Sequence, residues 1–135
     1  MTHGWWTLAL AIALVACGGD EGGDTTGENG EQPLHGCADA DFVDATEIAF
    51  ENIQYTPRCA RVAAGDTVTY KGEFASHNLQ GGTVVDGWGT ADESSPIQLV
   101  TSGTEAGVTF SQAGTFPYYC VQHQGVDMVG VVRVE

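Results

Sequence analysis

The sequence predicts an all-β fold, a Greek-key β-sandwich of seven or eight short strands. Three observations predict it. Runs of β-branched and aromatic residues recur between turn residues from Glu47 to the end of the chain. Several of these runs alternate apolar with polar side chains, the period of a strand with one buried face. No segment repeats apolar residues at the 3.6-residue spacing of an amphipathic helix.

The chain has 135 residues and a formal charge of −14, which suits one domain once its front is set aside. The apolar run Leu8 to Ala16 is too short to cross a bilayer as a helix. It ends in Leu14-Val15-Ala16-Cys17 followed by Gly18-Gly19, which resembles a bacterial lipobox. Residues 1–16 are then a signal peptide and Cys17 the lipidated first residue of an exported protein, periplasmic or on the cell surface. No Lys or Arg precedes the apolar run, and an ordinary secretory signal with an incidental Cys17 is the alternative. Residues 17–36 read as a disordered tether: seven glycines, five acids and almost nothing apolar.

The domain is expected at residues 37–135. It keeps thirteen acids against Arg58, Arg61, Lys71 and Arg133, a surplus of nine negative charges. Such a surface repels nucleic acid. It suits a basic protein partner, or serves only to keep a monomer soluble.

Strands follow in order. Glu47 to Tyr55 alternates through Ile48, Phe50, Ile53 and Tyr55, with a bulge expected near Asn52, and Pro57 ends it. Cys59, Arg61 and Ala63 alternate into the Gly65-Asp66 turn, and Thr67 to Tyr70 is the next strand. Residues 81–96 read as a loose crossover with a short strand at Thr83 to Val85. Ile97 to Val100 and Gly107 to Phe110 are further strands. The last two, Thr115 to Tyr119 and Val129 to Val134, bracket a glycine-containing loop.

That loop and its margins hold Cys120, His123 and Met128 in the spacing C-x2-H-x4-M. A thiolate, an imidazole and a thioether favour copper over calcium or magnesium. Beyond Cys17 the cysteines are Cys37, Cys59 and Cys120, an odd number for an oxidising compartment. Cys37 and Cys59 flank the first expected hairpin and are the natural disulfide, leaving Cys120 for a metal; pairing of Cys120 with either would leave no metal thiolate. His35 falls in the tether, where a lone His is ordinarily solvated, so His77 and His123 are the imidazoles of the folded part. His77, Cys120, His123 and Met128 therefore form the expected site. Two imidazoles and a thiolate with a weak axial Met describe a blue-copper centre. Zinc, the competitor, prefers four firm donors, and a thioether is a poor one.

Three stretches carry a family resemblance: Gly65 to Tyr70, Ser76-His77-Asn78, and Gly114 to His123 through Met128 to Val132. Together the chain resembles the cupredoxins, most closely the plastocyanin and pseudoazurin branch. The resemblance implies one type 1 copper held by His77, Cys120, His123 and Met128. It implies that Asn78 ties the two ligand loops together, with a backbone N–H nearby bonded to the Cys120 sulfur. It implies an electron port at the edge of His123, framed by Val126, and a second, lateral route through Tyr119. The chain departs from the family at Gln122, where plastocyanins commonly carry Pro, and at Asp127, where Gly is common before the Met. Tyr119 and Val121 flank Cys120, so the His-Cys-His arrangement of multicopper oxidases is missing. The function implied is a shuttle of single electrons between redox proteins, not an enzyme. A copper carrier or delivery protein is the alternative.

Overall fold

The computed structural model describes Gln32–Glu135. The signal peptide, Cys17 and the tether as far as residue 31 lie outside the described residues.

Ten strands form two sheets. They are β1 (Val43–Asp44), β2 (Glu47–Glu51), β3 (Gln54–Thr56), β4 (Cys59–Val62), β5 (Thr67–Lys71), β6 (Leu79–Val85), β7 (Trp88–Ala91), β8 (Glu105–Thr109), β9 (Gly114–Cys120) and β10 (Val129–Val134). One sheet has the order β1-β4-β10-β9-β6-β7 and the other β3-β2-β5-β8. The alternation read in the sequence sets which face is inward. Ile48 and Phe50 of β2, and Val68 and Tyr70 of β5, are buried while their neighbours face out. Between the sheets they meet Phe74, Leu79, Phe110, Tyr118, Val132 and Val134. Tyr118 stands at the centre, edge-on to Tyr55 at 4.8 Å and to Tyr70 at 5.2 Å between ring centroids.

Three stretches differ from the expectation, two of them because a two-residue turn hides in a polar patch. Glu47 to Tyr55 is a hairpin, not one bulged strand. Glu51 pairs with Gln54, and Asn52 takes φ 59°, a left-handed conformation that Asn tolerates. Ile53 therefore sits on the turn and is exposed. The stretch read as a loose crossover is largely the hairpin β6–β7, turned at Asp86-Gly87 with φ of 51° and 79°. Ile97 to Val100, expected as a strand, contributes a single bridge from Val100 to Leu79.

The disulfide joins Cys37 to Cys59, with a Cα–Cα distance of 5.7 Å, and Cys120 is free and buried. Cys37, Phe42, Cys59 and Val131 form a small second cluster on the outside of the larger sheet. Arg133 closes over it, 3.9 Å above the Phe42 ring and 2.8 Å from Asp39.

The tether was expected to run free to Gly36, yet its last turn, Leu34–Gly36, lies on the domain. The reason is His35. Its Nδ1–H donates to Gly130 O at 3.0 Å, and its Nε2 accepts the Val84 N–H at 2.9 Å. It fills the gap where β6 leaves β9, whose pairing ends at Gly81. Burial holds its pKa below the ordinary imidazole value, opposed by the Gly130 carbonyl, and of the nearby charges Arg58 lowers it while Asp127 raises it. Protonation would turn Nε2 from acceptor to donor and break the bond to Val84. The unfolded chain thus takes the proton first. Stability is full above the ordinary imidazole value of 6.5 and is lost as pH falls towards the lowered folded value. His35→Gln is expected to remove that part of the pH dependence, as read from denaturant melts between neutral and mildly acidic pH.

Candidate metal centre

Two loops build the centre. The first, residues 72–78, links β5 to β6 and carries His77. Phe74 is fully buried under it, and the Asn78 side-chain amide donates to Phe74 O at 2.7 Å, closing the turn on itself. The Phe50 ring stands edge-on to the His77 imidazole at 5.8 Å and limits its tilt.

The second loop runs from Cys120, the last residue of β9, to Met128. Its backbone is tied at every stage. His123 N–H donates to Cys120 O at 3.2 Å, Met128 N–H to His123 O at 3.2 Å, and Cys120 N–H to Met128 O at 2.9 Å. A single 3-10 turn, Gln124–Val126, ends at Asp127 with φ 59°. This explains the departure at Asp127: the position needs a left-handed residue, and Asp is one of the few side chains that adopts it readily. The Val121 N–H donates to Asn78 O at 3.0 Å, joining the two loops.

The loops bring His77, Cys120 and His123 together. Nδ1 of His77 lies 3.1 Å from Nδ1 of His123, and the Cys120 sulfur lies 3.9 Å and 3.4 Å from the two nitrogens. All three donor atoms fall within 4.8 Å of one another, the one such cluster among the described residues. Met128 is fully buried, as is Cys120. Burial raises the Cys120 thiol above its ordinary value, opposed by the His123 and Gln122 backbone N–H groups. Burial likewise lowers the His77 pKa, and the neighbouring His123 lowers it further. The pocket thus disfavours both a bare thiolate and imidazolium. A soft cation resolves both, accepting neutral imidazoles and compensating the deprotonated sulfur. The donor set fits copper on this chemistry.

Three further residues add detail around the donors. Asn78 does join the loops, but through its backbone. Its N–H donates to Gln122 Oε1 at 2.7 Å. Tyr119, the expected lateral route, is only 5% exposed. The backbone of Gly89 in β7 lies against its ring, where a side chain would collide. Gln124, which the sequence did not mark, pins that strand by accepting the Gly89 N–H and donating to Val121 O. The Asp-Gly turn was the available signal for this hairpin; Gln122 stood out only as a departure from the family, and nothing local singles out Gln124.

A two-sheet β-sandwich with two imidazoles and a buried cysteine sulfur gathered between two loops defines a cupredoxin. The chain belongs to the plastocyanin/azurin family of copper-binding proteins, whose family model matches residues 43–135. That family binds one copper ion. Plastocyanin from Prochlorothrix hollandica is 32% identical over 82 residues, covering 60% of this chain and 63% of that protein, just under two thirds of its length. Amicyanin from Paracoccus versutus is 29% identical over 117 residues, covering 84% of this chain and 83% of that one. Among solved structures, a purple cupredoxin from Nitrosopumilus maritimus superposes with a TM-score of 0.51 at 26% identity, over 67% of this chain and 100% of that one.

Proposed function

We propose that this protein is an exported single-electron shuttle, anchored by lipid at Cys17, with copper held by His77, Cys120, His123 and Met128. The observation that carries this is the convergence of both imidazole Nδ1 atoms on a fully buried cysteine sulfur. When bound, copper supplies a centre that alternates between Cu(I) and Cu(II). The chain's own residues keep water from the sulfur and hold the donors on backbone-tied loops, so little has to move on electron transfer. Four protein donors leave no place for a substrate, which supports a carrier of electrons over an enzyme. The full burial of Cys120 and Met128 argues against a copper-delivery protein, which must offer its ligands to a recipient.

Electrons leave by the partly exposed edge of His123. The docking surface we assign to it is apolar and drawn from both hairpins. Val126 is 56% exposed on the ligand loop, and Val85 and Trp88, 67% and 78% exposed, are register partners in β6 and β7. A Cβ on Gly87 would sit 3.5 Å from the Gly125 Cα, so the two hairpins touch. Asp86 and Asp127 follow Val85 and Val126 directly in the chain. The partner it fits is a redox protein with an apolar centre and a basic rim, docking briefly. Trp88→Asp is expected to slow electron transfer to a basic c-type cytochrome, used as probe in stopped flow, by about tenfold, the loss of one aromatic contact. Oxidation by hexacyanoferrate, which needs no docking, should fall far less. Equal rates for wild type and variant with the cytochrome would remove Trp88 from the docking surface.

A further inference from the structure

Gln122 stands between the two ligand loops, and its side chain is used at both ends. Oε1 accepts the Asn78 N–H at 2.7 Å and lies 3.6 Å from the Cys120 sulfur, while Nε2 donates to Ala75 O at 3.4 Å. Residues 75 and 78 flank His77 on its loop; residue 122 lies between Cys120 and His123. One amide therefore spans the two segments that supply all three clustered donors.

We infer that Gln122 is a positioning residue that sets the redox balance of the centre, by holding the His77 loop and by turning its side-chain acceptor oxygen, instead of the Asn78 N–H, towards the cysteine sulfur. This rests on the copper-shuttle reading above. The physics is local. A thiolate accepts hydrogen bonds; it gains nothing from a carbonyl oxygen 3.6 Å away. In the metal-free protein the thiol hydrogen satisfies that oxygen. Once the sulfur is deprotonated, the negative end of the Gln122 amide faces it with no hydrogen between. A negative dipole end beside the centre favours the state of higher positive charge, the oxidised one. The same oxygen holds the Asn78 N–H, which would otherwise withdraw electron density from the sulfur and favour the reduced state. Both side-chain effects act in one direction, so the Gln122 side chain lowers the potential; the Gln122 backbone N–H near the sulfur acts the other way but is common to wild type and variants.

Gln122 is exposed, so replacing it leaves the core intact. Gln122→Ala removes the acceptor, whereas Gln122→Glu keeps an acceptor for Asn78 and adds negative charge. The first readout needs no copper. In the metal-free protein the Asn78 amide hydrogen should exchange about tenfold faster in Gln122→Ala than in wild type, and at near the wild-type rate in Gln122→Glu, as expected for one hydrogen bond of about 1.4 kcal/mol. The second readout is voltammetry of the copper-loaded proteins. Gln122→Ala should shift the equilibrium towards the reduced state by about threefold to tenfold, and Gln122→Glu should shift it towards the oxidised state. Unchanged Asn78 exchange in Gln122→Ala would show that Gln122 is not the acceptor and overturn the inference. Faster exchange with an unmoved or lowered potential would overturn its redox part. A wild-type protein that binds no copper would contradict the proposed function instead, and the exchange experiment would still decide the bridge.

Discussion

Cys120→Ser is expected to abolish the intense visible absorption of the copper-loaded protein and to weaken copper binding by more than about 100-fold, since even supporting residues around a metal cost 10–100-fold. Cys120 is the last residue of β9, is fully buried, and has its sulfur within 3.9 Å of both imidazole nitrogens. A serine hydroxyl fits the same space, so the strand and both loops should form. What it cannot supply is a soft, readily deprotonated donor. Burial already holds the Cys120 thiol protonated in the metal-free protein, and only a strongly attracted metal displaces that proton. The hydroxyl, with a far higher pKa, keeps its proton. A copper titration followed by absorption, with circular dichroism to confirm the fold, checks both parts. A variant that still turns intensely coloured would place the responsible sulfur elsewhere.

The double variant Cys37→Ala/Cys59→Ala is expected to lose about 3 kcal/mol of stability while keeping the copper spectrum. The disulfide spans 22 residues, and closing a loop of that length removes roughly this much free energy from the unfolded state on the chain-entropy model. The loop encloses β1, β2 and β3, so without the bond the start of the domain is held by non-covalent contacts alone. The small cluster of Phe42 and Val131, with Arg133 over it, would persist with alanine in place of the sulfurs. No ligand residue belongs to that cluster. Denaturant melts of the two proteins give the difference directly, and a loss under about 1 kcal/mol would assign the hold on this segment to His35 and the cluster instead.

The sequence made the centre legible because soft donors are scarce. With one free cysteine and two histidines in the expected domain, the three clustered donors nearly chose themselves. Strand alternation at β2 and β5 was equally plain, since each has one face in the core. What stayed hidden depends on geometry across the fold. Asp86-Gly87 marks a hairpin, but the glycines around it resemble a loose loop until β6 is seen to pair with β9. His35 looks like a tether residue because both of its partners, Val84 and Gly130, are distant in the chain and are backbone groups. Tyr119 reads as a strand aromatic beside the thiolate in either case; only the position of Gly89 decides that it is covered. Gln122 showed only as a departure from the family; that its side chain accepts an N–H from the other loop could not be read locally.

Cyclic voltammetry of the copper-loaded wild-type protein tests the central claim most directly. A single reversible one-electron wave, kept through repeated cycles in the presence of a copper chelator, is the predicted result. An irreversible wave, or copper passing to the chelator on reduction, would contradict a shuttle and favour a delivery protein.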